Sequence, residues 1–573
     1  MKYFALLLIF IFSVTILQSQ ERWSTSKPLT GNFGKLPSEA NGWQNTNKEV
    51  RVYQILNDAV SVGPSFRVLP NSNQQDEIVL VRNPLNANIM FGSSNSTVGS
   101  TYGQGAYITT NGGVTWTGTD ILPSFSFATS DPGPCIDKNG TIIMTTLNTN
   151  STARMYSTYS TNNGTTWSTA LMISSASADK NFAASDDAPS SPYYGRSYAV
   201  WSNFAAGSPP IVIAHTTDGA QSWSAVRQIN TPPSAHYSQG CDVLTGPNGE
   251  VYVCWAAPTS SGNFTEDYAG FAKSTNGGIN WVVTENAYDM NGIRLPTFNG
   301  WGIRVNGFTR IGVDRSGGSR NGWIYIVASE KSLAPAGSDA DVVLHRSSDG
   351  GTTWSAGIRV NQDALNNGKV QFFPAIRVDE QGGVNVVYYD NRDYPSVGDS
   401  CHTYMSRSTD GGTTWTDMRV SDHAWKVKGE AGAGSYMGDY IGITSGNNKV
   451  WPFWFDDKTG TMQAWTCAVS LDPVGIDPVN GTVPSAFELK QNFPNPFNPS
   501  TFISFSLAEN SNITLEVFDA AGRKTSTLMN EFKSAGNYKM QFNASELSSG
   551  IYFYKLTAGS FVSTKKMILV NKI

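Results

Sequence analysis

Past the N-terminus, apolar runs and polar turns alternate in a pattern that returns along the chain. One recurring element is an apolar strand, a polar turn and a second strand that in most copies ends in an aromatic residue. It appears from Glu77 to Phe91, Pro134 to Met144, Phe182 to Trp201, Cys241 to Trp255, Arg310 to Val327, Ala375 to Tyr389 and Tyr440 to Trp454. Between these seven hairpins lie six octapeptides of the form Ser/Thr-x-Asp/Asn-x-Gly-x-Thr-Trp. They are anchored at Asn111 and Trp116, Asn162 and Trp167, Asp218 and Trp223, Asn276 and Trp281, Asp349 and Trp354, and Asp410 and Trp415. Only Ala220, Ser222 and Asn280 depart from the pattern.

An Asx side chain followed by Gly and a hydroxyl predicts a tight hairpin: the carboxyl or amide oxygen accepts from N–H groups ahead of it, and Gly takes the positive φ of the return. The Trp must then bury its ring, most naturally against a neighbouring sheet. The Trp-to-Trp spacings are 51, 56, 58, 73 and 61 residues. Each unit therefore reads as a four-stranded antiparallel meander with the octapeptide between its third and fourth strands. Such sheets set in a ring make a β-propeller, which leaves only short edges. The expectation is an all-β fold of seven blades, with six as the alternative count. The seventh unit, Asp439 to Leu471, has no octapeptide, and a strand near Glu49 to Tyr53 is expected to supply its fourth strand.

Composition agrees with this pattern. The 573 residues include 55 Gly, 16 Trp, 23 Tyr and 28 Phe, which suit strands and tight turns. Only 15% are charged, with a net charge of −5, so there is no basic footprint for nucleic acid or anionic membranes. Lys2, the thirteen mostly apolar residues Ala5 to Leu17 and the polar exit at Gln18 to Gln20 read as an export signal, and the apolar run is too short to cross a bilayer. No later stretch is long and apolar enough to be a membrane helix. Five Cys is an odd number; counting outward from the Gly246 to Gly249 turn sets Cys241 opposite Cys254, which leaves open either a cross-strand disulfide or two buried free thiols there. His215, His236, His345, His402 and His423 form no recognisable ligand pattern. No metal or other cofactor is expected, and calcium held by loop carboxylates stays open.

These octapeptides resemble the Asp-box, or bacterial neuraminidase repeat, of sialidase-superfamily propellers, over roughly residues 60 to 471. The resemblance implies the fold more firmly than the chemistry, because the same box occurs in enzymes, receptors and binding propellers. In a meander, the turn between strands 1 and 2 and the octapeptide share one face. The loops between strands 2 and 3 and the crossings into the next sheet form the other, and function is expected there. The residues at those positions include Glu77, Asp131, Asp186 with Asp187, His236, Tyr237, Gln239, Arg310, Asp390 with Arg392, Asp439 with Tyr440, and Asp456 with Asp457. Carboxylates facing one another across a funnel suit acid and base work on a glycosidic bond, and arginines suit a substrate carboxylate.

The sialidase resemblance implies an arginine triad, an aspartate acid/base and a tyrosine nucleophile paired with a glutamate. Arg67, within Phe66-Arg67-Val68-Leu69-Pro70, stands nearest to the family's Arg-Ile-Pro, with an extra residue. Arg310 and Arg392 stand for the other arginines, Asp187 for the acid/base and Tyr440 for the nucleophile, without flanking motifs to fix them. Tyr237, Gln239, Tyr389, Asp390, Asp439 and Trp454 are the expected substrate contacts, the aromatics as platforms for sugar faces.

After Leu471 the composition shifts. Residues 472–485 are rich in Pro and Gly and read as a stiff linker. Short alternating strands then follow in residues 486–573, read as a small β-sandwich. This segment resembles the C-terminal sorting domain of type IX secretion cargo. The resemblance rests on Gln491-Asn-Phe-Pro-Asn-Pro-Phe-Asn-Pro499, Val517-Phe-Asp-Ala-Ala-Gly-Arg523, Ser549-Gly-Ile-Tyr-Phe-Tyr554 and Lys565-Lys-Met567. It implies export through the periplasm, contact with the outer-membrane secretion machinery, and release or attachment at the cell surface. The domains expected are thus a signal at 1–20, an N-terminal segment at 21–59, a propeller at 60–471, the linker and the sorting domain. Two functions fit: a propeller that binds an extracellular glycan or glycoprotein, or an exo-acting glycoside hydrolase of sialidase type.

Overall fold

The computed structural model describes residues 51–570 apart from 56–57, 151, 263–264, 294–301, 395–399, 430–434, 472–483, 485, 534 and 545–546. The export signal, most of the N-terminal segment and most of the linker lie outside the described residues. Among those described there is no helix long and apolar enough to cross a membrane. They fall into two compact units, one mainly Val62–Val469 and one mainly Ser470–Ile573.

The larger unit is a β-propeller. Six of its sheets are antiparallel meanders of four strands in sequence order, the first being Gln74–Arg82, Met90–Val98, Thr101–Thr109 and Thr117–Thr119. The others begin with Thr129–Ile136, Ala178–Ser185, Gln239–Thr245, Arg310–Val313 and Gln371–Val378. In the seventh, Gly442–Gly446, Lys449–Asp456 and Gln463–Thr466 are joined by Phe66–Arg67, which pairs with Thr466 and Trp465. The closing strand is therefore not the one expected near Glu49 to Tyr53. Arg51–Ile55 is a strand of the same sheet, at the edge away from Phe66–Arg67, and the Arg51 guanidinium donates to the carbonyls of Val420 and Ser421, in the segment that follows the sixth sheet.

Each first strand neighbours the first strand of the next sheet, and that of the seventh neighbours Gln74–Arg82, so the cycle closes. Both faces of an inner strand are thus covered by protein. This is why Thr129–Ile136, Val251–Pro258 and Val384–Asp390 are buried along their whole length, whereas Arg227–Gln228, an outermost strand, is exposed.

The octapeptides staple one sheet to the one before it. In all six, the leading hydroxyl accepts from the N–H four residues on, at 2.8 to 3.0 Å. The Asx oxygen likewise accepts from the residue four beyond it, at 2.9 to 3.0 Å. The Trp then packs backwards around the ring. Trp167 lies 5.6 Å from Phe91, Trp354 lies 5.1 Å from Phe271, and Trp223 donates through Nε1 to Ser157 at 2.9 Å. The turn glycine is needed for the same contact: a Cβ on Gly351, at φ +86°, would sit 2.0 Å from the Phe271 ring. In the first octapeptide, a Cβ on Gly113 would meet Trp451 of the seventh sheet, which is ring closure seen from one residue.

Of the two readings left open for Cys241 and Cys254, the structure shows free buried thiols and no disulfide between them. The register of the fourth sheet shifts between Gln239 and Asp242, so Cys254 faces Asp242 rather than Cys241. A one-residue bulge, which counting outward from the turn does not foresee, moves Cys241 out of line.

In the smaller unit, Glu488–Leu489, Ser500–Leu507 and Gly536–Asn543 form one sheet, and Lys524–Lys533, Ser511–Asp519, Gly550–Ala558 and Phe561–Leu569 the other. Alternate residues such as Ile513, Leu515, Val517, Tyr554 and Leu556 build a shared core with Phe505 and Met567. The Gln491 to Pro499 segment is held to this core: the Asn492 backbone N–H donates to the Tyr554 hydroxyl at 2.7 Å, and the Asn492 side-chain amide donates to Thr501 Oγ1 at 2.9 Å. Lys524–Lys533 is too polar for the sequence to mark it as a strand.

Candidate functional site

The first strands of five sheets are bulged at the same level. Their register slips between Asp76 and Val79, Ser130 and Gly133, Asp179 and Phe182, Gln239 and Asp242, and Phe372 and Ala375. Within these slips Glu77, Asp131, Lys180, Gly240 and Phe373 take left-handed φ values of 46° to 64°. For a residue with a Cβ this costs on the order of 1 kcal/mol or more, and such strain gathers where structure serves a site. Three of the bulges place a charged side chain near the axis.

Lys180 is the hub. Its Nζ lies 2.9 Å from Glu77, 2.9 Å from Asp439 and 3.8 Å from Asp131, and 4.6 Å from the centre of the Tyr440 ring. Arg304 reaches Asp439 at 2.5 Å and lies over the Tyr436 ring at 4.5 Å. Asn306 donates to the same carboxylate at 3.0 Å. Glu77 accepts from the Asn95 amide at 2.5 Å and from the Tyr436 hydroxyl. Asp179 accepts from Gln239 at 2.5 Å. Arg310 pairs with Asp242 at 2.9 Å and lies 4.3 Å above the Phe182 ring. The adjoining cavity, lined by Lys180, Phe182, Arg310, Phe373, Asp439 and Tyr440 among others, measures about 10 Å³, room for one water.

The charges are unequal. Glu77, Asp131, Asp179 and Asp439 share Lys180 and Arg304, so not all four carboxyls ionise together at little cost. Asp439 touches both cations and is held well below the usual carboxylate range even though burial opposes this. Burial pushes Glu77 up to about 7, assisted by Asp131 and Asp439 and opposed by Lys180. Burial also raises Asp131 and Asp179. The surrounding carboxylates raise Lys180 against the effect of its burial.

Of the residues expected from the sequence, the structure brings Glu77, Asp131, Gln239, Arg310, Asp439 and Tyr440 to this cluster. It does not bring the other two arginines there. Arg67 lies on the outermost strand of the seventh sheet, its guanidinium on the Asn71 carbonyl. Arg392 is enclosed by Asp390, Asp417 and Asp363 and lies over Tyr404, toward the rim of the sixth sheet. Asp390 is fully occupied in that pair, its carboxyl pushed up to about 6 by burial.

Asp187 follows the first strand of the third sheet, on the opposite face, and pairs with Arg315. Tyr440 is buried with its ring edge-on to Phe182, and its hydroxyl has no hydrogen-bond partner among the described residues. Tyr389 and Trp454 are completely buried and present no face to a sugar: Tyr389 donates to the Phe455 carbonyl at 2.6 Å, and Trp454 to Asp456 at 2.9 Å. Tyr237 is buried against Phe204. Lys180, Arg304, Asn306 and Tyr436 were not expected. The one signal was the polar Asp179-Lys180-Asn181 opening of an otherwise apolar strand.

With this geometry in place, comparison with known proteins adds the following. Residues 491–571 match the family described as the secretion system C-terminal sorting domain. This segment is a type IX secretion sorting domain. The protein is therefore secreted or displayed at the outer cell surface, and this tail engages the secretion machinery. No curated protein matches the chain. Among solved structures, a protein of unknown function from Dyadobacter fermentans is 11% identical over 72% of this chain and 99% of its own, with a TM-score of 0.39. An ulvan lyase of a polysaccharide lyase family is 10% identical over 70% and 95%, with a TM-score of 0.44. The intramolecular trans-sialidase of Ruminococcus gnavus is 11% identical over 70% and 95%, with a TM-score of 0.33.

Proposed function

We propose that the protein is an exported propeller of Asp-box, sialidase-like type that binds a glycan or glycoprotein outside the cell, the bulge-borne cluster forming the floor of its ligand site. In this reading residues 1–20 are the export signal, 21–59 an N-terminal segment, 60–471 a seven-bladed propeller, 472–485 a linker and 486–573 the sorting domain. One observation carries the choice of binding over sialic-acid cleavage: Lys180, Arg304 and Arg310, the cations of the bulge-borne cluster among the described residues, are each paired with a carboxylate of the chain itself. A sialidase-type clamp needs guanidinium groups turned to the substrate carboxylate.

A second reading, an exo-acting glycoside hydrolase, is favoured by the Tyr436 hydroxyl donating to Glu77, the kind of pair a tyrosine nucleophile needs. Against it, burial and the nearby carboxylates raise the Tyr436 phenol well above its usual range, so ionising it is costly.

The test is a glycan array probed with the full-length protein, run beside hydrolysis of methylumbelliferyl glycosides, the sialoside and arabinofuranoside included. Binding without release of methylumbelliferone is the expected result. Release that disappears in Tyr436→Phe would replace the binding reading with the hydrolase one.

A further inference from the structure

The first strands run from the bulged end of the axis to the octapeptide end, and their last residues gather charge there too. Arg82 ends the first strand of sheet one, Arg377 lies next to the end of that of sheet six, and Arg315 follows that of sheet five. Two carboxylates answer these three guanidiniums: Glu380 pairs with Arg82 at 2.9 Å, and Asp187 with Arg315. Arg377 has no ion pair among the described residues. Its Nε donates to Ser445 Oγ at 3.1 Å, and that hydroxyl in turn donates to Glu380 at 3.3 Å. The two ion pairs are open to water, with side chains 21% to 39% exposed, so a solute can reach them. The buried Nε of Arg82 also lacks a hydrogen-bond partner among the described residues.

We propose that this end of the axis binds an oxyanion, the sulfate or carboxylate of an acidic sugar or a free ion of the same kind, between Arg82, Arg315 and Arg377. An uncompensated guanidinium is costly where water is scarce, and its planar fork matches carboxylate and sulfate oxygens two at a time. Glu380 and Asp187 hold the flanking arginines in place and compete with the ligand for them. Burial, with Arg82 and Arg315 adding to it, pushes Arg377 down to about 10, and Glu380 and Asp187 oppose this in part; a bound anion supplies further charge of the sign that offsets it. The site shares no residue with the cluster at the bulged end.

Titration calorimetry of the full-length protein at constant ionic strength tests this, with sodium sulfate as one probe and a chondroitin sulfate disaccharide as the other. Saturable one-to-one binding of at least one probe is expected. Sulfate alone identifies a free-oxyanion site; tighter binding of the disaccharide identifies a sugar site. Arg377→Gln is expected to weaken binding at least tenfold, and Glu380→Gln, which frees Arg82, to tighten it several-fold. Absence of saturable binding for both probes overturns the proposal. So does unchanged affinity in an Arg377→Gln protein that unfolds at the wild-type temperature, or, if that variant fails to fold, unchanged affinity in Glu380→Gln.

Discussion

Two features recur around the ring, the octapeptides toward its rim and the bulges at its axis, and they obey opposite rules. The turn of an octapeptide is closed within eight residues by its own hydroxyl, Asx oxygen and glycine, and it reaches the preceding sheet through its Trp and through carbonyls such as those of Gly277 and Gly411, which accept from Arg196 and Arg346. The charge at the third-sheet bulge is satisfied from far away in sequence: Lys180 depends on Glu77 and Asp439, 103 and 259 positions away. The octapeptides are exposed and chemically alike, whereas the bulges are buried and differ in charge from sheet to sheet. A propeller thus keeps its repeat where blades must be joined and abandons it where a site is built.

The contrast breaks most readily at Lys180. Replacing it with Met leaves Glu77, Asp131 and Asp439 buried around an apolar chain, and a loss of about 3 to 5 kcal/mol is expected in urea unfolding. Neutralising Asp131 in the same chain should recover part of that loss, because the two act in one network. At the rim, Gly351→Ala combines a left-handed φ with contact on Phe271. It should cost about 2 to 3 kcal/mol by the same assay, and shortening Phe271 to Leu should lessen the cost. Asp349→Ala removes hydrogen bonds that water can replace, so about 1 kcal/mol or less is expected, seen as a small drop in Tm.

The pH profile sharpens the same comparison. Hydrogen bonds from Thr353 hold Asp349 down to about 2, so its contribution is present above about pH 4 and fades as pH falls toward 2. Glu77 is raised from 4.5 to about 7; it retains its proton in the folded state, and stability is lost as pH rises from about 4.5 toward 7. Asp349→Asn should flatten the acid limb of the unfolding profile and Glu77→Gln the limb approaching neutrality. An unaltered profile in either variant would contradict the assignment for that end of the blade.

Much of the fold was legible because its signals are local. The octapeptide hydrogen bonds, the strand-turn-strand hairpins and the sorting tail each lie within a few residues, where side-chain chemistry dictates backbone shape. The site was legible only in part. Glu77, Asp439 and Arg310 stand at sheet ends that topology points to, but Arg67 and Arg392 matched a pattern of residue types with no control over radius. Tyr389 and Trp454 read as sugar platforms, yet an aromatic closing a strand is equally suited to packing between sheets, and that is where both are buried.

By itself, the sequence determined an all-β repeat, its stapling hairpins and the destination outside the cell, since these depend on short-range hydrogen bonding and on signals read as linear segments. Tertiary structure alone decided that Phe66–Arg67 closes the ring, that Cys254 faces Asp242, and that Lys180 gathers carboxylates from three other sheets or crossings. Each turns on a one-residue slip or on the meeting of distant strands, and the energies that select them, burial of charge and packing on both faces of a sheet, exist only once the ring has closed.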